Sequence, residues 1–368
     1  MSSDYNNWCP DVYRGIFVNR FNDDKLHVAP CCQARSKIVQ VDNFDFTTND
    51  YLTGIRKEIS AGNKPIACAL CWQDEDVGKK SRRLSQIEFY NMPPTTQIAL
   101  ESIDYHSTWA CNLACIMCGP GNSSTWATEL EWSQELREKN GKRFRKSNSI
   151  LENLDLTTIK RLHFNGGEPL LNNEHISVLD KIDLSDVVVS YNTNGTIYPS
   201  DELVEIWHRA KLVKLFFSID AVESAFEYIR WPANWDQLSA NLKRMRQELP
   251  SNVMFSFNVT IGTYNALNLV PLWDWFNINM LSNREGDRSN FCHQLATNFD
   301  PSWLTQEAKY AIIKDLEHIE SLAGFVNYIT RSVDAAPYSG WIDKLTKIDQ
   351  RRGTNWRKSL NIGKYYKC

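Results

Sequence analysis

Trp109-Ala-Cys111-Asn-Leu-Ala-Cys115-Ile-Met-Cys118-Gly119 places three cysteines within eight residues, in the spacing C-x3-C-x2-C. Thiols this close can each take one iron of a cubane. A [4Fe–4S] cube normally takes four thiolates, so three leave one iron open for a substrate or cofactor. An open position also separates catalytic from structural sites in zinc proteins. Zinc sites usually present C-x2-C knuckles in pairs, and a run of three fits that pattern poorly. The alternative is three thiols packing as small hydrophobes. Clustering beside Gly119, Pro120 and Gly121 points to metal instead.

Outward from this loop the chain alternates between apolar strand-like runs and helical patterns. Residues 99–105 read as a strand leading into the cysteine loop, and 159–164, 187–191, 212–218 and 253–260 as four more. A sixth is expected between Phe276 and Leu295. Helical spacing fills 176–182, 201–210, 235–249 and 267–276. Strands alternating with helices predict an α/β fold with a parallel sheet and right-handed crossovers. In βα barrels the reactive residues gather at the carboxyl ends of the strands. The polar motifs fall there: Gly166-Gly167-Glu168-Pro169, Asn192-Thr-Asn194-Gly195 and Ser218-Ile-Asp220.

The 368 residues suffice for one large domain, or one plus a smaller one. A net charge of −3 gives no electrostatic case for nucleic acid or for an anionic membrane surface. The start, Met1-Ser-Ser-Asp-Tyr-Asn-Asn-Trp8, lacks the apolar core of a signal peptide, and no apolar run is long enough to span a bilayer. The expectation is a cytoplasmic protein. Ten cysteines are many for that compartment, where disulfides are rare and clustered cysteines bind metal or react. The basic run Arg137–Lys146 reads as a solvated helix end and loop, and the basic, aromatic tail 349–368 as poorly ordered.

A second cysteine group precedes residue 99: Cys9-Pro10, Pro30-Cys31-Cys32 and Cys68-Ala-Leu-Cys71-Trp72. Its C-x2-C pair serves zinc and iron–sulfur equally well. Cys31 and Cys32 are alternatives, because successive side chains of an extended chain point apart. With Cys9 a merely buried thiol, the group would hold three ligands instead of four. Cys32, Cys292 and Cys368 are left over.

The three-cysteine run, the following Gly119-Pro120-Gly-Asn-Ser123-Ser124-Thr-Trp126 and the Gly-Gly-Glu-Pro element together resemble the radical SAM superfamily. That resemblance implies a partial (β/α)6 TIM-type barrel open on one side. It implies a cluster on Cys111, Cys115 and Cys118 whose open iron binds S-adenosylmethionine. One electron then cleaves the cofactor to methionine and a 5′-deoxyadenosyl radical, which abstracts hydrogen from a substrate. It further implies that Gly166, Gly167 and Glu168 meet the methionine amino group. Ser218, Asp220 and Arg230 resemble the family's contacts to the cofactor carboxylate and ribose, and a guanidinium matches a carboxylate bidentately. Ala221 stands where glycine is usual, and Met117 where an aromatic residue often packs near the adenine. Asn192 and Asn194 read equally as ribose contacts or as turn formers before Gly195.

Cys71-Trp-Gln-Asp-Glu75 through Arg83, with the preceding hairpin-like stretch and Pro-Cys-Cys, resembles the SPASM or twitch modules of that superfamily. They hold an additional cluster, here expected on Cys9, Cys31, Cys68 and Cys71. Such modules usually follow the barrel, whereas this one precedes it. The expected organisation is an auxiliary module at 1–95, the barrel at 96–300 and a helical extension with tail at 301–368. The resemblance implies a peptide or protein substrate, with a small metabolite, sugar or nucleotide as second reading, and an external one-electron reductant such as flavodoxin or ferredoxin. A non-catalytic metal-binding or electron-transfer protein is the reading from another class. His163 and His293 read as core residues, and no residue is singled out as the catalytic hydrogen donor.

Overall fold

The computed structural model describes all residues except 1–6, 21–24, 41–43, 77, 79, 134, 137–150, 152–153, 174, 281–289 and 367–368. The basic run at 137–146 and Cys368 therefore lie outside the described residues. Nine strands form one sheet: β1 Gly15–Arg20, β2 Lys25–Ala29, β3 Lys37–Gln40, β4 Ser102–Thr108, β5 Arg161–Gly166, β6 Val188–Thr193, β7 Leu212–Phe217, β8 Val253–Ile261 and β9 Asn290–Leu295. Their order is β3-β2-β1-β4-β5-β6-β7-β8-β9. From β4 to β9 spatial order follows chain order with helices between strands, the topology of a partial βα barrel. A doubly wound sheet would instead reverse direction at a switch point. The pairs β4–β5, β5–β6 and β8–β9 are parallel.

The N-terminal hairpin joins this sheet. β1 pairs antiparallel with β2 and parallel with β4, Ile16 opposite Ile103 and Val18 opposite Tyr105. The chain divides into two compact units. The first holds residues 1–108, 133–191 and 201–213; the second holds 109–132, 192–200 and 214–368.

In the first unit, Trp8, Cys9, Val12, Tyr13, Ile55, Ile59 and Ala67 form a buried cluster beneath the hairpin. β5 and β6 alternate between buried and half-buried residues, as strands do when one face is tightly packed. Phe164 stacks on Tyr191, with His175 tilted against both. In the second unit, helix Trp235–Glu248 is capped by Asn234 and buries Trp235, Leu238, Leu242 and Met245, one stripe at helical spacing. Phe217, Phe255, Phe257 and Trp275 stack in its core. The tail departs from expectation. Helix Gly340–Arg352 and the turns after it bury Trp341, Trp356, Leu360 and Ile362. Trp341 and Trp356 meet edge to face at 5.4 Å, and that apolar area holds the segment in place.

Candidate functional site

The cysteine loop belongs to the second unit. Many of its backbone groups are engaged there. Cys111 N–H is held by Ser124 Oγ at 3.1 Å, and Cys111 C=O accepts from Ser124 and Thr125. Ser123 Oγ donates to Leu113 C=O at 2.6 Å and caps helix Ser124–Glu129 through Trp126 N–H. Trp126 Nε1 donates to Cys115 C=O at 2.7 Å. Ala114 N–H and Ile116 N–H donate to Trp231 C=O and Ile229 C=O. The quoted Ser-Ser-Thr-Trp run thus exists to cap its own helix and to pin the loop before it.

Cys115 is buried, while Cys111, Met117 and Cys118 are half-buried. Burial pushes the Cys115 thiol up to about 11, and Arg230 pulls it back. Arg230 Nη1 points at Cys115 Sγ, 3.7 Å away. Its Nε and Nη2 grip Asp220 Oδ2 at 2.7 and 2.5 Å. Asp220 is wholly buried; its Oδ1 accepts from Thr260 N–H and its carbonyl from Asn265. The structure therefore gives Arg230 two partners within the chain, a carboxylate and a thiol. Ser218, half-buried, donates its N–H to Thr193 C=O at 2.8 Å.

Asn194 proves to be a turn former and more. Its Oδ1 accepts from Thr196 N–H and Oγ1, while its Nδ2 donates to Asn112 Oδ1 inside the cysteine loop. Gly195 follows at φ +75°, where a Cβ would also press on Leu238 and Phe217 at 3.1 Å. Asn192 is half-buried at the end of β6.

The Gly-Gly-Glu element lies in the first unit. Gly166 ends β5 at φ +136° and Gly167 is half-buried. Glu168 is wholly buried; Oε1 caps the short turn after it through Leu170 N–H, and its carbonyl accepts from Leu171 N–H. His163 bonds Ser190 Oγ within the sheet, the structural role expected of it.

The first unit also gathers Cys9, Cys31, Cys68 and Cys71 around one small cavity, together with Asp11, Gln33, Trp72, Arg82 and Arg83. Cys9 precedes helix Pro10–Arg14, Cys31 follows β2, and Cys68 and Cys71 sit on successive turns at 66–76. Cys31 lines the cavity, while Cys32 is exposed. Burial pushes Cys31 to about 11 and Cys68 to about 12. Burial also raises Cys9, with Asp11, Cys31 and Cys68 adding to it, so these thiols share one electrostatic neighbourhood. Such a pocket favours neutral thiols until a bound metal's charge compensates. Among the described residues, no three His, Cys, Asp or Glu side chains close around a single ion. A cubane asks for something different, one thiolate per iron around a larger body.

Sequence reasoning missed Asn112, Glu129 and Arg352. Asn112 carried a signal, a polar residue inside an otherwise apolar loop. Arg352 carried none: it lies 238 residues beyond the carbonyl it holds.

The chain runs from β4 of a largely parallel βα sheet into a pinned loop that carries three cysteines. Residues 105–266 match the Radical SAM superfamily, a span that begins in β4 and ends just beyond β8. That span, less than half of the chain, is similar to the radical SAM domain. The solved structures to which the chain is similar include the following three. Streptococcus suis SuiB bound to S-adenosylmethionine is 13% identical over 86% of this chain and 69% of that one, with a TM-score of 0.36. Histidine-tagged anSMEcpe with bound AdoMet is 14% identical over 59% and 58%, with a TM-score of 0.39. SuiB bound to the precursor peptide SuiA is 12% identical over 94% and 79%, with a TM-score of 0.38. No curated protein sequence matches the chain. Among the described residues no helix is long and apolar enough to cross a membrane.

Proposed function

We propose that Cys111, Cys115 and Cys118 hold the S-adenosylmethionine-binding cluster and that the protein modifies a peptide or protein. The observation that supports the first part is the loop itself, with its backbone clamped from 111 to 116 before any metal arrives. Preorganisation of this kind lets a site hold a cofactor without reordering. When bound, the cluster and S-adenosylmethionine supply one-electron cleavage of a carbon–sulfur bond and the resulting hydrogen abstraction; the protein supplies binding, orientation and exclusion of water.

Arg230 directs an N–H at Cys115 Sγ and stabilises its thiolate over its thiol. Asp220 fixes that guanidinium, and Asn194 with Asn112 ties the turn after β6 to the loop. Gly166, Gly167, Glu168, Asn192, Asn194, Ser218, Asp220, Arg230 and Met117 remain the proposed cofactor contacts. Cys9, Cys31, Cys68 and Cys71 are proposed to hold a second [4Fe–4S] cluster, four thiolates making it a closed electron relay. The peptide class rests on the resemblance of this cysteine group to SPASM and twitch modules. An external one-electron reductant of flavodoxin or ferredoxin type completes the scheme.

The test is anaerobic reconstitution, reduction, and mass spectrometry for 5′-deoxyadenosine with and without a library of unmodified peptides. Wild type is expected to release it and Cys115→Ala to release none. Equal yields from both proteins would remove the assignment. Hydrogen loss from a nucleoside or sugar, with peptides unchanged, would remove the peptide class alone.

A further inference from the structure

We propose that Arg352, outside the matched domain, is a positioning residue of the cysteine loop. This rests on the reading of Cys111, Cys115 and Cys118 as cluster ligands. Arg352 Nη2 donates to Ala114 C=O at 2.7 Å. Its Nε lies 3.1 Å from both Glu129 oxygens. The guanidinium lies over Trp126 at 4.7 Å and faces Trp231 at 5.8 Å. Its side chain is only 2% exposed.

These contacts converge on one peptide plane. The Ala114 carbonyl belongs to the peptide immediately before Cys115, so holding it fixes the direction in which Cys115 leaves the loop. The next carbonyl, that of Cys115, is held by Trp126 Nε1, and Trp126 is the ring that Arg352 covers. One side chain thus braces two consecutive carbonyls, one directly and one through the indole. Glu129 sits at the far end of the helix that Ser123 caps, so the same ion pair also anchors that helix.

The supply of Arg352 is equally determined. It is the last residue of helix Gly340–Arg352, and Gly353 ends that helix at φ +67° with its N–H on Asp349 C=O. Asp349 then accepts from Thr354 Oγ1 and Trp356 N–H, and Trp356 is wholly buried. A lysine would keep the charge but lose both the fork that serves Glu129 and Ala114 together and the flat face on Trp126. The C-terminal segment is therefore part of the cluster machinery.

The experiment uses the full-length reconstituted chain and two readouts: the electron paramagnetic resonance signal that shifts when S-adenosylmethionine is added, and the rate of iron release to a chelator. Wild type, Arg352→Met, Arg352→Lys and Glu129→Gln are compared. Both Arg352 variants are expected to lose the shifting signal and to release its iron about tenfold faster, the usual cost of removing a residue that orients metal ligands. Any signal that does not respond to S-adenosylmethionine is expected to persist, and Glu129→Gln, which keeps the bond to Ala114 but loses the ion pair that fixes the guanidinium, to release iron at a rate between those of wild type and Arg352→Lys. Equal loss of both signals would make Arg352 a general structural residue and overturn the proposal. So would wild-type release rates in Arg352→Lys, which keeps the proposal testable should Arg352→Met not fold. A wild-type chain with iron but no responsive signal overturns the parent reading instead, and this one with it.

Discussion

Asp220 is wholly buried and holds Arg230 through two nitrogens, so its charge cannot be removed without stranding a buried guanidinium. Breaking one side of such a pair costs about 3–5 kcal/mol, whereas removing both sides costs far less. Asp220→Asn is expected to lose stability of that order, and Asp220→Asn with Arg230→Met to recover much of it. Urea unfolding of the apo chains measures both; additive losses would show that the two residues act independently. His175 supplies a different residue-level effect. Burial against Phe164 and Tyr191 lowers its pKa from 6.5 to about 4. On acidification the unfolded chain takes the proton first, so this contribution to stability is complete above pH 6.5. It declines as pH falls from 6.5 toward 4 and is flat below that. The depression corresponds to about 3 kcal/mol. His175→Phe keeps a ring in place without the proton site, and its stability is expected to fall less than that of wild type between pH 7 and 4.5. Parallel pH profiles for the two proteins would contradict this.

Among elements, helix Ser124–Glu129 links local sequence to loop geometry most directly. Ser123 Oγ both accepts from Trp126 N–H and donates to Leu113 C=O, and the residue is 1% exposed. Ser123→Ala is expected to cost about 1–2 kcal/mol as a lost cap and to speed iron release from the reconstituted protein. A variant with lowered stability but an unchanged release rate would mean that the cap serves the helix alone. In the sequence this run stood out only through its family resemblance, and the helix it starts was not read there, although its capping signal is local and local signals are the ones a sequence shows. The barrel strands were legible for that reason, each being an apolar run closed by a polar motif, and the observed bounds of β5 to β8 shift by only a residue or two. The pairing of β1 with β4 was not, since a hairpin's own alternation says nothing about which strand lies on its far side. Nor was the packing of residues 349–366. Their basic composition concealed that Trp356, Leu360 and Ile362 bury enough apolar surface to order the segment. Arg352 escaped notice because its partners come together only through the tertiary fold.

At the scale of the molecule, each unit carries one cysteine set: three thiols on a pinned loop in the second, four around a cavity in the first. The two sets differ in what they leave open. Three thiolates on a cubane leave one iron for a ligand, whereas four leave none. The reading of both sets as cluster ligands therefore makes a quantitative claim about iron. The reconstituted wild type should carry about eight irons, two cubes of four. Cys68→Ala with Cys71→Ala should fall to about four while keeping the signal that responds to S-adenosylmethionine. Replacing Cys111, Cys115 and Cys118 together by alanine should also fall to about four, but keep only a signal indifferent to that cofactor. Because desolvation raises all four thiols, they stay neutral without metal and must give up their protons to bind it, so chelation should also lower the melting temperature of the triple variant, whose remaining metal lies in the first unit. Iron and acid-labile sulfide per chain, measured beside zinc, decide the matter. If Cys68→Ala with Cys71→Ala holds as much iron as wild type, the cavity in the first unit is not a cluster site. If that unit holds one zinc in place of four irons, its role in electron transfer is excluded, because zinc has no second oxidation state to use.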